Sequence, residues 1–301
     1  MSAAPAAPIA LSLHEDLVHH PRSDLRWSRD DGWMPDSQTM LNRGVGIRTA
    51  IVFVHGFAGS AGGTWEEFPS AIRAMPEAAL TDVFLLDYPS TKVSVQVCGE
   101  EMGAFLADLL RNPMERIVNP SLPDDAPPRP IGERYERIVI VAHSMGAVVM
   151  RRALLDLDRN GMSQEEHHSL RLLLFAPAHR GSKLSKLIAS GLGLDFLPGS
   201  TLIGQALRIH FRSLGDLEEK SQALTLLFDD SVAARARREA RRESDADLRA
   251  YVLHARDDKV VVQDRFDEDV SGRPVGNRDH RNVCKPEDEY RRPVDELLPF
   301  L

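Results

Sequence analysis

The stretch Ile138-Val139-Ile140-Val141-Ala142-His143-Ser144-Met145-Gly146 decides the fold of this chain. Its first four residues are β-formers without polar alternation, the pattern of a parallel strand buried on both faces. After Ser144, the residues Val149, Met150, Ala153, Leu154 and Leu157 fall on one face of a helix that stops at Asn160-Gly161. A strand that turns directly into a helix at a serine flanked by Ala142 and Gly146 reads as a nucleophile elbow. The tight turn strains the backbone and pushes the hydroxyl out above the sheet. Small residues are needed two places before and two places after the serine, because strand and helix backbones nearly touch there. Alanine at the first position adds one methyl group to the more usual glycine. An ordinary buried serine at a strand end would not require this context.

The same apolar signature recurs on either side. Ala50 to Val54, Val83 to Leu86, Leu170 to Phe175 and Leu248 to Leu253 read as further buried strands. Helical periodicity lies between them at 67–75, 92–111, 145–158 and 183–190, with a last helix near 287–298. Strands alternating with helices predict an α/β fold: a mostly parallel central sheet with helices on both faces. Residues 1–48 are polar and charged and read as an N-terminal extension packed on a domain at 49–301. Pro120 to Pro130 reads as a surface loop. Residues 183–247 are too long for a simple connection and predict a helical cap insert. Its apolar residues, among them Leu192, Leu194, Phe196 and Leu202, fit the insert's own core better than an acyl-chain pocket. The run Arg235 to Arg242 is interleaved with Glu239 and followed by Glu243, and reads as a solvated helix face.

Composition narrows the partners. The chain has 301 residues, 43% hydrophobic and 27% charged, as expected of a globular protein. Its 37 basic and 45 acidic residues give a net charge of −8, which offers no footprint for nucleic acid. Cys98 and Cys284 are far apart and have no metal-ligand spacing, so free thiols are expected and a zinc site is not. The N-terminus lacks the basic start and long apolar stretch of a secretory signal, and no segment approaches the roughly 20 apolar residues of a membrane span. A cytoplasmic location is the resulting expectation.

A serine hydroxyl is a weak nucleophile at neutral pH and needs a base, an acid to orient that base, and donors for an oxyanion. Asp258 lies just beyond the last long strand and is the expected acid, with Asp257 as a competitor because strand ends cannot be fixed to one residue. His280 is the one histidine after residue 258 and is the expected base. His254 and His179 are contenders, the first at a strand end and the second in a segment that could line the cleft. The backbone N–H groups of Met145 and Phe57 are the expected oxyanion donors. His55 reads as a brace for the Phe57 loop.

With these residues in view, the chain resembles the α/β-hydrolase superfamily, particularly bacterial lipase- and esterase-like serine hydrolases. The resemblance spans about residues 49–300. It rests on Phe53-Val54-His55-Gly56-Phe57, Ala142-His143-Ser144-Met145-Gly146, the acid loop at 257–261 and the His280 loop. His280 followed by Val283-Cys284-Lys285-Pro286 is similar to the H-x-x-x-C-K-P ending of some lipase-like hydrolases. Ala176-Pro177-Ala178-His179 departs from a related T-P-H pattern. The resemblance implies cofactor-free hydrolysis of a small-molecule or lipid carboxylic ester through an acyl-enzyme on Ser144, with amide or thioester cleavage open to the same machinery. The rival reading is a binding protein that keeps the fold and senses a small molecule without turnover.

Overall fold

A strand with no polar side chain on either face is stable only inside a sheet covered by helices on both sides, and that is where the apolar runs lie. The computed structural model describes residues 17–21, 38–42, 46–118, 128–182, 212–241, 248–262 and 266–301. Strands β3 (Thr49–Val54) and β4 (Thr81–Leu86) are buried at every residue, and β5 (Arg137–His143) at all but its first. β6 (Leu170–Phe175), β7 (Ala250–Leu253) and the two-residue β8 (Val270–Ser271) complete the parallel part of the sheet.

Two strands come from the region before residue 48. β1 (Leu17–Pro21) pairs antiparallel with β2 (Gln38–Asn42), and β2 pairs antiparallel with β4. Among the described residues the sheet therefore has eight strands in the order β1-β2-β4-β3-β5-β6-β7-β8. The polar composition of this edge hides it from an apolar-run search.

The order sets the location of the site. The chain goes from β3 outward to β4, then returns across β3 to β5 on its other side. At such a reversal, the loops leaving neighbouring strands diverge to opposite faces and leave a crevice at the carboxyl ends. Val54 is level with Ala142, and His143 with Phe175, so the loops after β3, β5 and β6 leave the sheet side by side.

Helices α1 (Phe68–Arg73), α2 (Val95–Arg111), α3 (Met114–Val118), α4 (Met145–Arg159) and α5 (Gln164–Ser169) follow in order. The elbow helix α4 is buried from Met145 through Leu155 without interruption. It lies against α2, whose Gly99 has no room for a side chain: a Cβ there would sit 2.7 Å from Arg152 Cγ.

Within the expected cap insert, α6 (Arg212–Asp216) and α7 (Gln222–Arg241) are helical. The helix expected at 183–190, and the residues Leu192 to Leu202, lie outside the described residues. Arg152 of α4 binds Asp230 of α7 at 2.6 Å, and Arg237 reaches Asp158 at 3.1 Å. The basic run is thus only partly a solvated face, since Arg238 is buried. The last helix, α8 (Arg292–Leu297), is shorter than its periodicity suggested, because Glu287 and Tyr290 form a bridge before it. No described helix is long and apolar enough to cross a membrane.

Candidate active site

The turn at Ser144 carries the strain the sequence implied. Its φ is +53° and ψ −118°, a conformation that costs a non-glycine residue about 1–3 kcal/mol and survives only where its surroundings hold it. They do so through the backbone: Ser144 N–H donates to Phe175 O at 3.0 Å, and Ala178 N–H donates to Ser144 O at 3.3 Å. The small flanking residues are explained by contact. A Cβ on Gly146 would lie 2.4 Å from His55 O and 2.5 Å from Val54 O, so only glycine lets α4 start this close to β3.

Around that serine, residues far apart in sequence meet. His280 Nε2 is 2.9 Å from Ser144 Oγ, and His280 Nδ1 is 2.8 Å from Asp258 Oδ2. A carboxylate only accepts, so Nδ1 carries the hydrogen and the neutral ring leaves Nε2 to accept the serine O–H. The second oxygen of Asp258 accepts the N–H groups of Val260 (2.8 Å) and Val261 (3.2 Å), which fixes the carboxylate plane. Burial alone would raise the Asp258 carboxyl, but His280 and these two amides outweigh it and hold the group below the usual carboxylate range. Asp257 is exposed and makes no such bond; its N–H donates to Arg278 O.

The loop after β3 is braced from beneath. His55 Nδ1 lies 2.8 Å from Gly56 O, its Nε2 3.1 Å from Asp87, and Tyr88 stacks on its ring and donates to His55 O at 2.8 Å. Ala58 N–H donates to Ser90 Oγ and Ala61 N–H to Asp87 Oδ1. Gly56 is required here too, since a Cβ would come 2.9 Å from Ser144 Cβ. Phe57, next after Gly56, lines the same cavity as Ser144. Met145 opens α4, so its amide is a first-turn donor that the helix cannot satisfy internally.

His143 is the neighbour that the sequence did not single out, although it sits inside the elbow. Its Nε2–H donates to His280 O at 2.7 Å, and the two rings lie 4.9 Å apart. Burial is the main cause that lowers its pKa to about 3, helped by the proximity of the His280 ring, so it stays neutral. The C-K-P ending is also explained: buried Cys284 touches Thr64 O, while Lys285 bonds Gly63 O and Glu66, tying the His280 loop to the loop after β3. Burial pushes the Cys284 thiol up to about 12, which keeps it out of thiolate chemistry. Both cysteines are free.

The two contending histidines are elsewhere. His179 is buried, with its ring stacked on Phe266 at 4.8 Å, and does not line the cavity at Ser144. His254 is buried at the end of β7. The cavity itself, about 210 Å³, is bounded by residues 56–60, Gly63 and Thr64 on one side and by His143, Ser144, His280, Arg281 and Lys285 on the other. Among the described residues, no cluster of three or more His, Cys, Asp or Glu side chains is arranged to hold a metal ion. A hydrogen-bonded Asp–His–Ser series ending on a serine in a strained turn is an arrangement chemically capable of acyl transfer.

Comparisons with known proteins agree with this architecture. The model of the alpha/beta hydrolase family matches residues 51–290, and the chain belongs to that family. A 151-residue region, 46% of the chain, is 26% identical to Protein SERAC1 of Mus musculus, and it spans only 23% of that relative's length. The mature form of the Bacillus licheniformis lipase BlEst2 shares the fold at a TM-score of 0.50, with 15% identity over 85% of this chain and 94% of that one. The peroxisomal alpha-beta-hydrolase Lpx1 of Saccharomyces cerevisiae does so at 0.53, with 12% identity over 95% and 89%.

Proposed function

We propose that the chain is a serine hydrolase of carboxylic esters working through an acyl-enzyme on Ser144. The observation that carries this reading is the unbroken hydrogen-bonded series Ser144–His280–Asp258 at the wall of a cavity. His280 Nε2 takes the Oγ proton as Ser144 attacks the ester carbonyl. The new imidazolium is stabilised through Nδ1–H by Asp258. The backbone N–H groups of Phe57 and Met145 receive the oxyanion of the tetrahedral intermediate, where fixed donors avoid the reorganisation that water would need. His280 then returns the proton to the departing alkoxide. In the second half-reaction it deprotonates a water that attacks the acyl-serine, and Ser144 is regenerated as the carboxylic acid leaves.

A small fluorophosphonate tests this reading, because it reacts with activated serines irrespective of the natural substrate. Covalent labelling of the folded protein at Ser144, lost in Ser144→Ala, is the expected result. Folded protein that resists labelling would favour the binding-protein alternative.

A further inference from the structure

The charge of the cavity runs against the charge of the molecule. The chain carries −8 overall, yet the charged side chains lining the cavity beside Ser144 are Arg281 and Lys285, and no lining residue is acidic. Arg281 is exposed, and among the described residues no carboxylate pairs with its guanidinium; only its backbone N–H is held, by Asp279 at 2.9 Å. Lys285 uses two of its ammonium hydrogens, on Gly63 O at 3.3 Å and Glu66 at 2.5 Å, and retains a third. A concave wall with cations of one sign concentrates anions. Ser60 adds a hydroxyl whose oxygen accepts Gly63 N–H, leaving its hydrogen to donate.

The direction of catalysis says which part of the substrate these cations meet. His280 Nε2 must deliver its proton to the leaving alkoxide, so the alcohol portion lies on the His280 side of Ser144. Arg281 and Lys285 follow His280 in the same loop, and the cavity of about 210 Å³ suits a compact polar group better than a long acyl chain. Resting on the hydrolase reading above, we propose that Arg281 and Lys285 form an anion-binding subsite. The ester cleaved here then carries a phosphate or a carboxylate on its alcohol portion.

The test compares butyryl esters of glycerol, glycerol 3-phosphate and glyceric acid, which share an acyl group and differ in the charge of the alcohol. At least one charged ester should exceed the neutral one in kcat/KM by about tenfold, the effect of one charge-assisted hydrogen bond. Which of the two charged esters leads identifies the anion. Arg281→Ala should bring the charged-to-neutral ratio down toward one, Arg281→Glu should invert it, and Glu66→Gln should raise it by releasing Lys285. A wild-type ratio at or below one, or an Arg281→Ala ratio equal to wild type, overturns the subsite. Calorimetric binding of glycerol 3-phosphate, glycerate and glycerol to Ser144→Ala protein removes the dependence on turnover. Binding of a charged alcohol that Arg281→Ala abolishes, together with a wild-type protein that cleaves none of the three esters and resists the fluorophosphonate, would sink the hydrolase reading and leave the subsite standing. No preference for a charged alcohol in that measurement sinks the subsite itself.

Discussion

The two ends of the same sheet each hold a buried polar trio built around an aspartate, and they differ in what is left over. At the amino end, Asp82 at the start of β4 accepts from Arg129 at 2.6 Å and from Tyr135 O–H at 2.7 Å, all three nearly inaccessible to solvent. Burial, with the carboxylate beside it, pushes the Tyr135 phenol well above its ordinary range, so the proton stays where it is. Charge meets opposite charge there. At the carboxyl end, Asp258 accepts from a histidine whose other nitrogen faces a serine hydroxyl on a strained turn. That series can pass a proton along, and its last member borders a cavity. Buried polarity does not by itself point to a functional site, and the proposed role of the carboxyl-end trio rests on its histidine facing a serine hydroxyl at a cavity wall.

Several variants would break or sharpen this contrast. The largest effect is expected from Ser144→Ala, which should leave the fold intact, as read by circular dichroism, and lower ester hydrolysis by up to about 10⁶-fold by analogy with serine proteases. Near-wild-type turnover in that variant would remove the carboxyl-end trio from the chemistry. Because such groups act as a unit, His280→Ala should cost nearly as much, and Asp258→Asn about 10⁴-fold through loss of the imidazole's orientation. Asp257→Asn should cost far less. If Asp257→Asn is the more damaging change in steady-state assays, the acid has been assigned to the wrong neighbour.

At the amino end the expectation reverses. Asp82→Ala leaves the Arg129 guanidinium buried without its carboxylate and should destabilise the fold by about 3–5 kcal/mol in urea unfolding. Activity per folded molecule should persist. A loss of turnover without loss of stability would show that the two ends of the sheet are coupled.

The smallest effect concerns pH. His143 is held neutral with a pKa of about 3, whereas the unfolded chain binds a proton on it below about 6.5. The unfolded state thus holds more protons between those values, and stability falls as pH drops through that window, by up to about 1.4 kcal/mol per pH unit. His179, lowered by burial and the nearby Arg151 charge, acts in the same direction. His143→Gln keeps a donor for His280 O while removing the titration. Unfolding free energies measured from pH 7 to pH 5 should show a shallower slope than wild type, and an identical slope would place the acid sensitivity elsewhere.

What the sequence determined by itself is what short-range physics can write into it. The apolar runs at 50–54, 83–86, 138–142 and 170–175 fixed the parallel strands, because a strand covered on both faces has no polar alternation to disguise it. Ala142, Ser144 and Gly146 marked the elbow, and at Gly146 contact with Val54 and His55 excludes any side chain. The order Ser144, Asp258, His280 was legible as a set of candidates. Asp258 was the expected acid with Asp257 as its competitor, because a strand end cannot be fixed to one residue from sequence, and the folded loop brings the Asp258 carboxylate to Nδ1. Strands β1 and β2 were invisible, because neither contains a long apolar run and β2 takes its place by pairing with β4. His143, Tyr88 and Asp87 gained their roles from partners 32 to 137 residues away. Tertiary structure decided these points because a hydrogen bond between distant residues is specified by packing, which no local pattern records.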